Sequence, residues 1–220
     1  DPYLHVIPNH LVPRLGACRP WDFPREWTRW WSIDWGHTNP FCLSRWAEDG
    51  DGRLYLYREQ YHTKRLVEDH ARDVLLDVTK CVKDYQPGGL VTAKSIRADV
   101  EAGRREWTEP RPRAVVCDPA DAEARRTFGL HTRLGTTPAK KSGTRTGPSM
   151  KTLGIQAVQA RLVVAGDGKP RIFFVRDCVV ERDPDLVDAK LPTSTVEEIV
   201  GYVKAVGADG KQKEEPVDEN

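Results

Sequence analysis

The sequence predicts an α/β fold with a mixed β-sheet, in which three antiparallel strands come first, parallel strands follow and helices flank the sheet. Three observations support this class. Runs with a strand pattern follow one another between residues 30 and 61, a long amphipathic helical pattern covers 63–85, and a short apolar run at 113–117 leads into a helix-start signal.

The three strand-like runs are separated by turn signals. The first ends at Asp34, just before Gly36, and the second starts at Phe41 with alternating apolar and polar residues. Residues 48–52 contain two glycines among acidic residues and form the turn to the third run at 54–61. Aromatic and branched side chains are typical of strands, and we expect the three runs to pair antiparallel in sequence order.

The clearest helix pattern lies at 63–85. Its apolar side chains recur every three or four positions over about six turns. They are Leu66, Val67, Ala71, Val74, Leu75, Val78, Val82 and Tyr85. The sequence Pro87-Gly88-Gly89 ends the pattern. Residues 90–112 are charged and mixed, and they predict no clear element.

The later elements are shorter. After the strand at 113–117, Asp118 and Pro119 have the residue types of a helix N-cap and a first helical position, so we expect a helix from there to about Phe128. The remaining predicted elements are a loop at 135–149, a helix at 149–161, a strand at 172–175, and a last helix that starts with the capping pair Ser194 and Glu197 and runs to about Lys204.

One main domain is expected at this length. Residues 1–29 are proline-rich and predict an irregular lead-in packed on the domain, residues 30–206 predict the domain itself, and residues 207–220 predict a polar, mobile tail. The chain opens with Asp1-Pro2, without an initiator Met or a signal peptide, which suggests a piece of a longer protein.

Composition excludes several classes of protein. The chain has 34 basic and 33 acidic residues, so any affinity for nucleic acid has to come from a local patch. No apolar stretch reaches the roughly 20 residues that span a bilayer. The five cysteines form no CxxC pair, which argues against a disulfide framework or a zinc knuckle and fits reduced thiols in a cytosolic protein.

Two aspartates stand at the ends of predicted strands. Asp34 ends the first run, and Asp118 follows the apolar run 114–117. Two carboxylates at the tips of buried strands are what a divalent-metal site on a mixed sheet needs, and such a site indicates phosphodiester chemistry. The alternative roles are a turn residue for Asp34 and a helix N-cap for Asp118. Glu59 and Asp121 are possible near-site acids, with a solvated strand end and a helix-dipole partner as their simpler roles.

A basic stretch is the clearest charge asymmetry in the chain. Residues 124–166 contain no Asp or Glu. Cations on a glycine-rich loop can contact phosphates without reading bases, and the alternative is an ordinary solvated loop. The candidate DNA-binding residues are Arg125, Arg126, Lys140, Lys141, Arg145 and Lys151.

Four segments between about residues 30 and 204 carry a family resemblance. They are Trp31-Ser32-Ile33-Asp34-Trp35-Gly36 with Pro40, Gly52-Arg53-Leu54-Tyr55-Leu56-Tyr57-Arg58-Glu59, Val115-Val116-Cys117-Asp118-Pro119-Ala120, and Lys140-Lys141 through Gly154-Ile155-Gln156-Ala157-Val158 to the strand at 171–174. In this order they resemble the C-terminal nuclease domain of the large terminase subunit of tailed bacteriophages. That domain has a ribonuclease H-like fold.

The resemblance implies a metal-dependent endonuclease that cuts concatemeric double-stranded viral DNA during genome packaging, in the cytoplasm of the infected bacterium. It implies two Mg²⁺ or Mn²⁺ ions, with Asp34 bridging both and Asp118 holding one. A third metal-binding acid is expected beyond Asn220. The resemblance also implies an ATPase domain upstream in the same polypeptide, and no GxxxxGK[ST] motif of such a domain occurs in this sequence. The portal and the small terminase subunit are further implied partners.

Two other functions stay open at this point. The chain could be another ribonuclease H-like nuclease, such as a resolvase or transposase core, or a catalytically incomplete DNA-binding or assembly module whose acids are structural. A group of acids is expected to be solvated, with one of them as a possible substitute for the third ligand. These are Asp177, Glu181, Asp183, Asp185 and Asp188.

Overall fold

A computed structural model describes residues 6–7, 23–140, 150–176, 178–201, 204–206 and 212–216. The strands are β1 (Val6–Ile7), β2 (Thr28–Asp34), β3 (Phe41–Glu48), β4 (Leu54–His62), β5 (Thr79–Cys81), β6 (Arg105–Trp107), β7 (Ala114–Cys117), β8 (Thr136–Pro138), β9 (Ile172–Val175), β10 (Val179–Arg182), β11 (Lys204–Val206) and β12 (Gln212–Pro216). The helices are α1 (Val67–Val78), α2 (Ala93–Glu101), α3 (Ala122–Thr132), α4 (Met150–Leu162), α5 (Pro184–Ala189) and α6 (Thr195–Gly201).

The main sheet has eight strands in the order β1-β9-β4-β3-β2-β7-β8, and β10 pairs with β4 outside this path. The pairs β2–β3 and β3–β4 are antiparallel, whereas β7, β8, β9, β10 and β1 all join by parallel pairing. The predicted fold class, with antiparallel strands first and parallel strands after them, is therefore confirmed.

One face of the sheet is covered by α1, α2 and α3. Strand β2 contributes Trp31 and Ile33 to this core, and β7 contributes Val115 and Cys117. Opposite them, α1 buries the stripe of Ala71, Val74, Leu75 and Val78 that the helical spacing predicts. This packing fixes the carboxyl ends of β2 and β7, because both strands are held by the same helices.

The other face is covered over only part of its width. Leu162 at the end of α4 and Val196 and Ile199 of α6 pack against a second core cluster that includes Leu56 and Phe174. These contacts lie over β4 and β9. On the same face of β2 and β7, Ser32 and Val116 are exposed.

A buried ion network fixes α1 against the strands. Arg45 of β3 forms ion pairs with Asp77 of α1 and with Glu109, and the Glu109 pair has an N–O distance of 3.0 Å. The Tyr57 hydroxyl also donates to Glu109, at 2.8 Å. Arg45 and Glu109 are both almost fully buried, so each charge depends on the other for its stabilisation.

The helix predicted at 63–85 is wrong beyond Val78. Residues 79–81 form β5, which pairs antiparallel with β6. Thr79 is in extended conformation at the helix end, and its hydroxyl donates to the Leu75 carbonyl at 2.5 Å. Within the region without a predicted element, Thr92 and Ser95 form a capping box that starts α2.

Three further expectations need correction. Helix α3 is capped by Asp121, whose Oδ1 accepts from the Ala124 N–H at 2.7 Å, and not by Asp118; it runs on to Thr132. The predicted loop at 135–149 contains β8. Residues 212–216 of the predicted tail form β12, which pairs with β11, so the last helix ends at Gly201 and not near Lys204. The mobility of the tail and the division into lead-in, domain and tail stay predictions.

Within the part of the chain described here, no helix combines the length and the apolar character that crossing a membrane requires.

Candidate active site

Asp34 and Asp118 lie side by side at the carboxyl ends of neighbouring strands. Strands β2 and β7 pair parallel up to Ile33 and Cys117, and the Asp118 N–H donates to the Ile33 carbonyl at 3.1 Å. The next residue of each strand is the aspartate, so the two backbones are one strand spacing, about 5 Å, apart there. Strand alternation turns the preceding residues, Ile33 and Cys117, into the core.

The two aspartates differ in their surroundings. Asp34 is exposed, and Asp118 is half-buried. The Asp118 carboxylate accepts from the Ala120 N–H at 2.6 Å, which closes a tight turn before α3. Asp118 therefore has a local structural contact in addition to its place beside Asp34.

The loop after Asp34 is tightly built around Gly36. A Cβ atom at this position would lie 2.2 Å from the Asn39 carbonyl oxygen and 2.5 Å from that of Pro40. Only glycine lets the backbone pass this closely. The loop is also tied to the chain before α1, because the Lys64 N–H donates to the His37 carbonyl at 2.7 Å.

A cleft of about 340 Å³ borders Asp118 at this edge of the sheet. It lies between the loop after β2 and the amino-terminal ends of α1 and α3. Its walls are formed by Trp35, Gly36, His37, Phe41, Arg65, Leu66, Val67, His70, Asp118, Ala120, Asp121 and Ala124. Asp121, predicted as a possible near-site acid, is thus the cap of α3 and also a wall residue of this cleft.

His70 in the cleft wall is neutral under physiological conditions. Its ring stacks on Phe41 with a centroid distance of 3.7 Å and an interplanar angle of 16°. Burial lowers the pKa of His70 to about 3, and the nearby His62 and Arg65 act in the same direction. The imidazole therefore serves as a packing surface, and it does not add a positive charge to the cleft.

Glu59 lies on the same face as Asp34 but is buried under α6. Through the register, Ser32 faces Ser44 and Ser44 faces Glu59, so two strand spacings separate Glu59 from β2. Its Oε1 accepts from the Thr195 N–H at 2.9 Å and from the Thr195 hydroxyl at 2.5 Å. Burial raises the pKa of Glu59, although these hydrogen bonds oppose the shift. The predicted solvated strand end is wrong, because this carboxyl is fully buried.

The part of the basic stretch at 124–140 lies next to the two aspartates. Strand β8 pairs parallel with β7, and the Ala139 N–H donates to the Cys117 carbonyl at 2.8 Å. Lys140, which is exposed, therefore follows one residue beyond the level of Asp118. Arg126 is exposed on α3 and Arg125 is half-buried there. Lys141 and Arg145 fall outside the described residues, as does the side chain of Lys151 in α4.

The acids between 177 and 188 have other contacts where the structure describes them. Asp183 accepts from the Thr63 N–H at 2.6 Å and from the Thr63 hydroxyl at 2.9 Å, Asp185 pairs with Lys64 at 2.8 Å, and Glu181 approaches Arg65 at 3.6 Å. Asp188 is exposed, and Asp177 falls outside the described residues. Among the residues described, no group of three or more His, Cys, Asp or Glu side chains is arranged to hold a metal ion.

The donor chemistry at the edge nevertheless suits a hard divalent cation. Mg²⁺ and Mn²⁺ take carboxylate oxygens, and Mg²⁺ keeps several waters, so it needs few protein ligands and open space around them. Asp34 and Asp118 offer two carboxylates on neighbouring strands at a solvent-accessible edge. The residues present fit a partial ligand set for such an ion.

Sequence reasoning missed two features, one at this edge and one at the opposite end of the same strands. The first is the cleft, whose walls come from three separate segments. The second is Arg113, whose guanidinium lies over the Trp30 ring at 5.3 Å on the face that carries Asp34. From the sequence, Gly36 could be identified only as a turn residue, because the close approach of its backbone to Asn39 exists only in the folded loop.

The chain is similar in structure to the large terminase of a thermophilic bacteriophage. The ADP complex of that protein matches with a TM-score of 0.54 and 16% identity, and its ATP-γ-S complex with 0.53 and 17%. Both matches cover 100% of this chain but only 39% and 40% of the terminase chain. The chain thus spans about two fifths of the length of the structures it matches.

A third structure, the nuclease domain of the P22 large terminase, matches with a TM-score of 0.47 and 11% identity, over 92% of this chain and 78% of that one. That likeness is too loose to support an inference. No protein-family model and no curated protein sequence matches the chain. The similarity to the thermophilic phage terminase therefore concerns the fold, a mixed sheet flanked by helices.

Proposed function

We propose that this chain is the nuclease part of a phage DNA-packaging terminase and hydrolyses phosphodiester bonds of double-stranded DNA with Mg²⁺ or Mn²⁺. The observation that carries the proposal is the placement of Asp34 and Asp118 on adjoining parallel strand ends. The fold likeness to the large terminase of the thermophilic phage supports it.

Asp34 and Asp118 are the residues that would hold the metal. A bound pair of such ions supplies an activated water and stabilises the leaving oxygen of the cut strand. Asp34 is exposed and can accept a cation together with its water shell. The turn that Asp118 closes with Ala120 fixes its backbone beside Asp34, so the two acids are positioned before any cation arrives.

The basic side chains next to the acids are suited to positioning DNA. Lys140 lies two residues past the end of β8, which pairs with the strand before Asp118, and Arg126 is exposed on α3, the helix that follows Asp118. They would neutralise phosphates without reading bases, which gives affinity but no sequence preference. A cut made during packaging of concatemeric DNA by an ATPase-linked nuclease fits this arrangement. The portal and the small terminase subunit would be further partners of the complete protein.

Metal-dependent nicking of plasmid DNA tests the proposal. The wild-type chain, Asp34→Asn and Asp118→Asn are incubated with supercoiled plasmid and Mn²⁺ or Mg²⁺. We expect nicking by the wild type and a loss of at least about 100-fold in either variant, because each removes a charged ligand from the ion. Asp51→Asn is the matched control, since Asp51 is exposed on the β3–β4 turn at the opposite end of the strands.

A binding measurement separates metal affinity from catalysis. Mn²⁺ at about 100 times its dissociation constant should stabilise the wild-type fold by about 2.7 kcal/mol, and thermal unfolding detects such a shift. The shift should be absent in Asp34→Asn and kept in Asp51→Asn. Undiminished nicking and an unchanged Mn²⁺ shift in Asp34→Asn would remove this residue from the mechanism.

A further inference from the structure

We propose that the face of β2, β7 and β8 that the described residues leave open is a track for the backbone of double-stranded DNA, and that Arg113, which lies over Trp30, is a phosphate anchor at its far end. The inference rests on the proposed nuclease function, because it takes the aspartates as the point where the strand is cut. It assigns a binding role to Arg113 and to the faces of β2 and β7, which lie outside the acid-free stretch 124–166.

The first support is that this part of the sheet is open. Side chains that alternate with the core residues of β2 and β7 face away from the helices. Among them Ser32 and Asp34 are exposed, and Val116 keeps 36% of its surface accessible. On β8, Thr137 pairs with Val116 in the register and is also exposed. Small or polar side chains thus line this part of β2, β7 and β8, next to the aspartates.

The second support is the geometry of the contact between Arg113 and Trp30. The Trp30 indole is held in place by its Nε1–H, which donates to Glu48 at 2.6 Å. The Arg113 guanidinium lies over this fixed ring, 5.3 Å from its centroid, and the Arg113 backbone N–H donates to the Arg29 carbonyl at 2.8 Å. Stacking on an aromatic face pre-orients a guanidinium and leaves its N–H groups at the rim available to a phosphate.

The charge of Arg113 is not neutralised by any carboxylate within the described ranges, whereas ten other arginines there form ion pairs. Arg45, Arg53, Arg58, Arg65, Arg72, Arg97, Arg104, Arg133, Arg171 and Arg182 all form ion pairs. In a chain with a net charge near +1, an exposed and uncompensated arginine on the face of the candidate site is a local attraction for a polyanion.

The spacing along the strands suits a duplex. Trp30 precedes Asp34 by four residues on β2, which is about 13 Å at roughly 3.3 Å per strand residue. Successive phosphates of one DNA strand advance about 3.4 Å along the helix axis, so the anchor lies about four base steps from the aspartates. Lys140 lies at the opposite end, beside Asp118. A duplex on this track would meet a cation on both sides of the cut.

The chain offers a closely matched control in Arg111. It is also exposed, and it also stacks on a tryptophan, Trp107, at 4.8 Å. Trp107 packs against the core on the helix-covered side, near Trp31, with ring centroids 6.5 Å apart. The two arginines are therefore close in sequence, are both exposed and both contact a tryptophan ring, but the two rings lie on opposite sides of the sheet.

The test measures binding of a blunt DNA duplex without divalent metal, over a range of salt concentrations. For Arg113→Ala we expect weaker binding and a salt dependence of log K that is shallower by about 0.9, the value for one phosphate contact. Arg111→Ala should leave both values unchanged. Equal effects of the two substitutions, or no effect of either, would overturn the anchor.

A second variant tests the track between the anchor and the aspartates. Val116→Glu adds a carboxylate to the exposed strip, and its accessibility lets the fold tolerate the change. Weaker DNA binding with an unchanged unfolding midpoint supports the track, and wild-type affinity overturns it. Nicking by Asp34→Asn is scored separately. If that variant loses nicking while Arg113→Ala binds DNA normally, only the anchor is refuted. If Arg113→Ala weakens binding but the wild type shows no metal-dependent nicking, only the nuclease is refuted.

Discussion

Replacing Gly36 by alanine should damage the candidate site and leave the sheet intact. The new Cβ would lie 2.2 Å from the Asn39 carbonyl oxygen, where real contacts of this kind stay above 3.0 Å, so the loop has to open by about 0.8 Å. Its backbone can only relieve the contact by moving, because the colliding atoms belong to the main chain. Overpacking of this kind costs about 1 to 3 kcal/mol of stability.

The effect on activity follows from the position of the loop. Gly36 is two residues after Asp34, and a displacement of about 1 Å in a catalytic group can cost about 100-fold in rate. We expect Gly36→Ala to slow plasmid nicking by about 10- to 100-fold and to weaken the stabilisation by Mn²⁺. Circular dichroism and a urea unfolding curve should still show a folded domain with a lower midpoint.

Gly50→Ala is the control for this experiment. Gly50 lies in the β3–β4 turn, and a Cβ atom there would meet nothing within 4 Å. Its nicking rate and Mn²⁺ response should equal those of the wild type. A wild-type nicking rate and midpoint in Gly36→Ala would contradict the steric reasoning, and equal losses in both variants would show that the effect is not specific to the loop beside Asp34.

Two further predictions concern buried carboxyls. Burial raises the pKa of Glu59, so its carboxyl group stabilises the folded state below the unfolded pKa and loses that contribution as the pH rises through the folded pKa. The difference in unfolding free energy between Glu59→Gln and the wild type should therefore shift in favour of Glu59→Gln between pH 5 and pH 8. A difference that does not change with pH would contradict this prediction. Glu109→Ala should lower the urea-derived free energy of unfolding by about 1 to 3 kcal/mol, because the buried Tyr57 hydroxyl loses its acceptor and Arg45 keeps only Asp77 of its two carboxylate partners. A loss below about 0.5 kcal/mol would refute a structural role for the Arg45–Glu109 pair.

The elements that local pattern determines were predictable from the sequence. Strands β2, β3 and β4 follow from alternation and turn residues, and the apolar stripe of α1 follows from its helical spacing. The position of the two aspartates at strand ends was predictable for the same reason, and their adjacency needed only the pairing of β2 with β7.

The remaining features depend on contacts between distant segments. The helical spacing of apolar residues continues past Val78, but residues 79–81 pair with β6, which lies much later in the chain, with Thr79 opposite Trp107 and Cys81 opposite Arg105. Strand β8 has three residues and too little pattern to identify. The hydrogen bond from the Thr195 N–H to Glu59 joins residues that are 136 positions apart in the chain. No local rule contains the information for these pairings.

The packing of α6 on the second sheet face determines which acidic side chains are accessible to a cation. Glu59 and Asp34 lie on that same face, yet α6 covers one and not the other. A hydrated Mg²⁺ keeps most of its waters, so its protein ligands need open space. Glu59 has no exposed surface, and its Oε1 is occupied by Thr195, so bringing a divalent ion to it would require undocking α6. Asp34 is exposed at the sheet edge. The same packing that makes Glu59 a docking point for the helix therefore leaves Asp34, beside Asp118, as the accessible acid to which the proposed metal site is assigned.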